Sequence, residues 1–148
     1  MSDATTLELE RVIAATPEAV FRAWTSPDAM KRWYQDRPDD VVNIEELDLR
    51  VGGSYRIEFG PQGEPPYVES GSYLEINPPH RLVMRETLTT PDGIAWSDTT
   101  VTLTLTEQDG KTLLRLKHEK FPSTEARNNA AGGWPGFIDR IATLVTQG

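Results

Sequence analysis

The sequence predicts an α+β fold: a curved antiparallel sheet of about six to seven strands around one long C-terminal helix. Three observations carry this. The stretch from Ser123 to Val145 is the only one long enough for a major helix, and Trp134, Ile138, Ile141 and Val145 recur on it at helical spacing, with Phe137 and Leu144 on the flank. At about 1.5 Å per residue it spans roughly 34 Å, the width of a small domain. Most of the preceding chain alternates apolar and polar residues at strand period, punctuated by Gly, Pro, Asn and Asp. Two short helix starts follow the first strand at once, Thr16-Pro17 and Ser26-Pro27. Strands in succession with helices gathered to one side make an α+β layering.

Each element has its own signal. Leu7 to Ile13 alternates and reads as the first strand. Thr16 caps a helix carrying Val20, Phe21 and Trp24, and Ser26 caps one carrying Met30, Trp33 and Tyr34. After the polar loop Gln35 to Asp40, Val42 to Leu49 is a strand whose alternation slips at Glu45-Glu46, which predicts a bulge. Val51-Gly52-Gly53 turns the chain into Tyr55 to Phe59, and the breaker-rich loop Gly60 to Pro66 follows. Tyr67 to Ile76 and Arg81 to Leu88 are strands joined by Asn77-Pro78-Pro79-His80. Thr90 to Gly93 turns again, Ser97 to Leu105 is a Thr-rich strand, and Asp109-Gly110 marks a hairpin into Thr112 to Glu119. Ser123 then caps the long helix, with Glu119 and Glu125 near its positive end. Ala130, Ala131, Gly132, Gly133 and Pro135 predict a kink there, or a break into two helices with Pro135 in the first turn of the second. The small residues are expected either to let the helix pack closely or to leave volume beside Trp134.

The 148 residues form a single domain, 1–148, large enough for a real core. There is no Cys, hence no disulfide, no thiol chemistry and no Cys-based zinc site. Neither a signal peptide nor a membrane-spanning run is visible, so a cytoplasmic protein that is not an integral membrane protein is expected. A net charge of -8 argues against nucleic-acid partners. The acidic residues Asp36, Asp39, Asp40, Glu45, Glu46 and Asp48 read as a solvated face. His80 and His118 are far apart and lack ligand spacing, so no metal is expected. No Gly-x-Ser-x-Gly elbow or phosphate-cradling loop is present, and no cofactor is implied.

Strand period assigns inward faces. Glu86 shares a face with Leu82, Met84 and Leu88; His118 with Leu114 and Leu116; Thr99 and Ser97 with Val101, Leu103 and Leu105; Ser70 and Ser72 with Val68, Leu74 and Ile76. Glu86 and His118 are thus ionisable groups on apolar faces, near strand ends that open to solvent. Two roles stand open for them: acid-base or orienting groups in a cavity, or ordinary polar groups at the rim. The aromatics divide the same way between core and pocket. Trp134 is the first cavity candidate, Trp96 near an inter-strand loop the next, and Trp24 is core. The candidate ligand-binding set is Trp134, Met84, Glu86, Trp96, Thr99, His118, Gly132, Phe137 and Ile138.

The opening LELERVIAATPEAVFRAWTSPDAMKRWY resembles the start of the START-like (SRPBCC) superfamily, and more narrowly the activator of heat-shock-protein-90 ATPase C-terminal-domain-like (AHSA-type) family. Val51-Gly52-Gly53 before a strand, Gly71 to Ile76 followed by Pro78-Pro79-His80-Arg81-Leu82, and Gly133-Trp134 in the last helix also match. The resemblance covers nearly the whole chain, and the motifs taken in this order are specific. Pro135 departs from a smooth helix at that point. The resemblance implies a helix-grip fold with a hydrophobic cavity between helix and sheet. Superfamily members bind lipids, hormones and polyketides, and some catalyse cyclisation or hydrolysis.

Three functions follow, in order. The first is binding of a hydrophobic or amphipathic small molecule under the long helix. The second is a cyclase- or hydrolase-type enzyme using Glu86 and His118 as acid and base; no catalytic residue is assigned by a motif. The third is a chaperone-co-factor-like protein-interaction domain, not favoured because no second domain accompanies this one. Homodimerisation through a strand edge is left open.

Overall fold

Leu7–Ile13 forms β1 with its apolar residues on alternate positions. The computed structural model describes residues 4–35 and 37–146. It continues with α1 (Pro17–Thr25), α2 (Pro27–Trp33), β2 (Asp40–Leu47), β3 (Ser54–Pro61), β4 (Tyr67–Asn77), β5 (Arg81–Thr90), β6 (Gly93–Gln108), β7 (Lys111–Glu119) and α3 (Thr124–Thr146). All strands pair antiparallel in one curved sheet of order β1-β7-β6-β5-β4-β3-β2. α3 packs on α1, α2 and β1, and the core lies between these helices and the sheet. This is the α+β helix-grip arrangement.

Local chemistry sets the boundaries. Thr16 Oγ1 accepts the Ala19 N–H at 3.2 Å, and Pro17 occupies the first turn, where a missing N–H is harmless. Ser26 holds the equivalent position for α2 without a side-chain bond. The Trp33 indole donates to the Ala23 carbonyl at 2.7 Å and ties α2 to α1. Asp109 and Gly110 both have positive φ, 53° and 80°, as a two-residue type I′ hairpin between β6 and β7 requires. Ser123 Oγ accepts the Ala126 N–H at 3.1 Å at the start of α3. Arg127 donates to the Thr6 carbonyl just before β1, and Arg11 of β1 pairs with Asp139, so α3 is pinned to this part of the chain at two levels.

Irregularities in the sheet decide what faces inward. β2 is bulged between Ile44 and Glu46, where the sequence slips. β4 is bulged between Tyr73 and Glu75, and the β5–β6 register shifts twice between Glu86 and Thr89. Asp98, with φ +54°, sits in the shift between Glu86 and Leu88, where its N–H donates to Thr87 Oγ1 at 3.1 Å. β6 begins at Gly93 rather than Ser97, because Thr90 Oγ1 closes a tight turn by donating to the Gly93 carbonyl and accepting the Asp92 N–H.

Of the two expectations for Gly132–Pro135, a kink or a break into two helices, the break is not there: α3 runs as one helix from Thr124 to Thr146 with Pro135 inside it. Pro135 is exposed, so water can take up the carbonyl its missing N–H leaves. Gly132 and Gly133 are exposed too, and a Cβ on either would meet nothing within 4 Å. Close helix packing therefore does not account for them.

Candidate functional site

Two strands build the floor of the site. On β5, Leu82, Met84 and Glu86 are buried on one face, with Leu88 continuing it. On β4 the inward residues are Tyr67, Glu69 and Tyr73, not the expected Val68, Ser70, Ser72 and Leu74. The bulge after Tyr73 is the reason: it changes the parity of the strand, so Ile76 packs on the core while Leu74 is 41% exposed. β6 repeats the effect. Thr99 and Val101 are buried, but past Asp98 the inward residue is Trp96 and Ser97 is exposed. Trp96 therefore lies within a strand, 8% exposed, and not in a loop at a mouth.

Between this floor and α3 lies a cavity of about 310 Å³. Its walls are aromatic: Trp24, Trp33, Tyr34, Phe59, Trp96, Trp134 and Phe137, so all four tryptophans of the chain line it. Trp24, expected as core, is 4% exposed and also part of this wall. Trp134 stacks on Trp24 at a centroid distance of 6.2 Å, and Phe137 meets Trp33 edge-on at 5.8 Å. Ala130 and Gly133 face the cavity from α3 and leave its upper side open in width.

Two carboxyls interrupt the apolar lining. Gly71 stands opposite Glu86 across β4 and β5, and Glu69 is the diagonal neighbour on the same face. Gly71 admits no side chain: a Cβ there would lie 1.7 Å from the Arg85 carbonyl oxygen. Glu69 and Glu86 hydrogen-bond to each other. The Tyr34 hydroxyl donates to Glu69 Oε2 at 2.6 Å, and the Trp96 indole donates to Glu86 Oε1 at 3.0 Å. Burial pushes Glu69 up to about 7, tempered by the bonds from Tyr34 and Glu86. Burial and then the charge of Glu69 push Glu86 well above the carboxylate range. Glu86 therefore carries the shared proton and donates it to Glu69. Burial and the charge of Glu69 also raise Tyr34, which stays a donor.

Behind this pair runs a second chain of bonds. The Trp134 indole donates to His118 Nδ1 at 3.0 Å. His118 Nε2 meets Thr99 Oγ1 at 2.8 Å, and Thr99 donates to the Glu86 backbone carbonyl at 2.8 Å. Since Thr99 has given its proton to that carbonyl, it accepts from His118; the imidazole is the neutral Nε2–H tautomer. Burial lowers its pKa to about 3. His118 is fully buried and Glu86 is 3% exposed, so neither lies at an open strand end as expected. Their closest approach, Nε2 to Glu86 Oε1, is 3.7 Å, too long for a hydrogen bond.

Of the sequence-derived candidates, the structure brings Met84, Glu86, Trp96, Trp134 and Phe137 onto the cavity wall. Thr99 and His118 stand behind it, holding Glu86 and Trp134. Ile138 is fully buried in the core, and Gly132 turns outward to solvent; neither lines the cavity. Sequence reasoning missed Glu69. The signal that would have found it is the Tyr67-Glu69-Gly71-Tyr73 alternation, with two tyrosines on the carboxylate's own face. Among the described residues no three His, Asp or Glu side chains gather as a metal site. Asp36, one of the acidic residues assigned to a solvated face, lies outside the described residues.

With the geometry in place, comparison with known proteins gives the following. The family model described as Activator of Hsp90 ATPase homolog 1-like protein matches residues 14–146. A crystal structure of a protein from Chromobacterium violaceum is 30% identical, with a TM-score of 0.79 over 95% of this chain and 96% of that one. One from Rhodobacter sphaeroides is 27% identical, TM-score 0.78, over 99% and 96%. The solution structure of an AHSA1-like protein from Aeromonas hydrophila is 24% identical, TM-score 0.74, over 95% and 91%, a likeness of fold. No curated protein matches the chain.

Proposed function

Because this chain belongs to the Activator of Hsp90 ATPase homolog 1-like protein family, whose START-like fold commonly binds hydrophobic ligands, we propose that it binds a small amphipathic molecule in the cavity under α3. The observation that carries this reading is the cavity itself: about 310 Å³, walled by aromatics, with two convergent carboxyls. That volume lies at the lower end of the roughly 300–1,000 Å³ of small-ligand sites, and the mix of apolar wall and few polar groups is typical of them. The apolar body of the ligand packs among Trp24, Trp33, Trp134 and Phe137, and its polar end meets Glu69 and Glu86.

The test is native mass spectrometry of the protein purified from its host, beside Met84→Trp, which fills the cavity from β5. A small molecule carried by the wild type and absent from a folded Met84→Trp supports the reading. A wild type that arrives empty and also fails to bind the neutral apolar probe N-phenyl-1-naphthylamine sinks it.

A second reading rests on a specific observation, the Glu69–Glu86 pair that shares a proton near neutral pH. Such a pair can take a proton from a bound molecule and return it. In this reading the partner of Glu86 is Glu69. His118 lies behind the wall with both ring nitrogens engaged.

A further inference from the structure

The cavity joins two features that are each ordinary and together select a ligand class. One is a wall of aromatic rings: Trp24, Trp33, Tyr34, Phe59 and Trp134 line the cavity, Trp33 stacks on Tyr34, and Tyr34 reaches Glu69. The other is the Glu69–Glu86 pair in its wall. Among the described residues, no Lys, Arg or His lines the cavity. The two groups that could have neutralised the pair are used elsewhere. His118 accepts from Trp134 and donates to Thr99, which fixes it as the neutral tautomer. Arg140 packs on the wall from outside, 4.8 Å over the Phe137 ring, and donates to the Trp33 carbonyl at 2.7 Å. The donors that do reach the pair, the Tyr34 hydroxyl and Trp96 indole, carry no charge.

From this juxtaposition we infer that the cavity selects organic cations: amphipathic amines whose ammonium group meets the Glu69–Glu86 pair while the body stacks against the aromatic wall. This rests on the cavity-binding reading and narrows it. An ammonium offers up to three N–H donors in a cone, enough to engage an oxygen of each carboxyl. Its CH groups carry part of the positive charge and face the electron-rich sides of the rings. A carboxylate ligand would bring a like charge against the pair in a water-poor site. A neutral ligand gains the stacking alone.

The experiment uses probes of one shape and different charge: phenethylammonium, 2-phenylethanol and phenylacetate. The readout is intrinsic tryptophan fluorescence, since every tryptophan of the chain is at the cavity. The wild type is expected to bind phenethylammonium at least about ten-fold more tightly than 2-phenylethanol, with phenylacetate weakest. The double variant Glu69→Gln, Glu86→Gln keeps the shape and hydrogen-bond capacity of the pair and removes its charge. It is expected to lose the cation preference and to bind phenethylammonium and 2-phenylethanol with similar affinity, with its fold checked by circular dichroism. Equal affinity of the wild type for cation and alcohol overturns the inference, as does a preference that survives in the double variant; both leave cavity binding standing. Failure of all three probes to bind, together with a neutral apolar probe that also fails, removes both readings.

Discussion

His118 shows how a single side chain can shape a cavity without lining it. Its Nδ1 accepts from the Trp134 indole N–H and its Nε2–H donates to Thr99, which in turn donates to the Glu86 main-chain carbonyl. The ring is therefore a spacer that sets a wall of the cavity from α3 and a carboxyl of its floor from β5. Replacing it by Phe leaves the Trp134 N–H without its acceptor and removes the donor to Thr99. Burial of unsatisfied polar groups costs about 1–3 kcal/mol. His118→Phe is expected to lose that much in urea unfolding. His118→Gln, which offers an acceptor and a donor about as far apart, is expected to lose less than half of it. A larger loss in His118→Gln than in His118→Phe, which keeps a ring, would mean that ring packing against Phe121, 4.2 Å away between centroids, sets the stability instead.

At the scale of elements, the strands and helices were legible because their patterns are local, and the site was legible only where no bulge intervened. β5 and β7 keep one parity, so Glu86 and His118 were placed on the inward face from spacing alone. β4 changes parity after Tyr73, and counting back from Ile76 put Ser70 inward in place of Glu69. A bulge is set by pairing with neighbours, and a lone strand's alternation does not carry that information. The slip at Glu45-Glu46 was visible because two like residues in succession break the pattern outright. Gly132 was placed at the cavity and lies off it, for a similar reason: a glycine's role depends on what a Cβ would meet. Gly71 on β4 has the Arg85 backbone at 1.7 Å, whereas Gly132 on α3 has open space. Gly71→Ala is expected to destabilise by several kcal/mol, enough to deplete soluble protein, because backbone must move. Gly132→Ala is expected to stabilise by about 0.5–1 kcal/mol through helix propensity, with ligand binding unchanged since the residue is off the cavity. Paired denaturant melts of the two variants check both signs. Nothing in the structure explains why Gly132 is glycine.

For the whole molecule, burying three titratable groups in one core ties stability to pH from both sides. His118 titrates near 3 in the folded chain against 6.5 when free, so the unfolded chain takes up a proton that the folded one refuses. Its contribution is intact above about 6.5 and is lost as pH falls toward 3. The carboxyl pair works in the opposite direction. Glu69 titrates near 7 in place of 4.5, and Glu86 is raised further. Both forms of the chain are protonated there below 4.5; as pH rises the unfolded chain ionises first, and stability falls until Glu69 ionises near 7 and beyond that through Glu86. The two windows overlap from about 4.5 to 6.5, where two carboxyls outweigh one imidazole, so the maximum lies near 4.5, which thermal melts across the range should trace. The isostere separates the two arms. Glu86→Gln presents its amide to Glu69 where the shared proton lies and its carbonyl to Trp96, so it mimics the protonated form. Near pH 4, where Glu86 is protonated in both states, wild type and variant should melt within about a degree of each other. Near pH 8 the variant escapes the penalty of keeping a carboxyl protonated and should melt a few degrees higher, as about 1 kcal/mol moves the midpoint of a chain this size by roughly 2–4 °C. A variant less stable than wild type at both pH values would show that the proton between Glu69 and Glu86 is not where the hydrogen bonds put it.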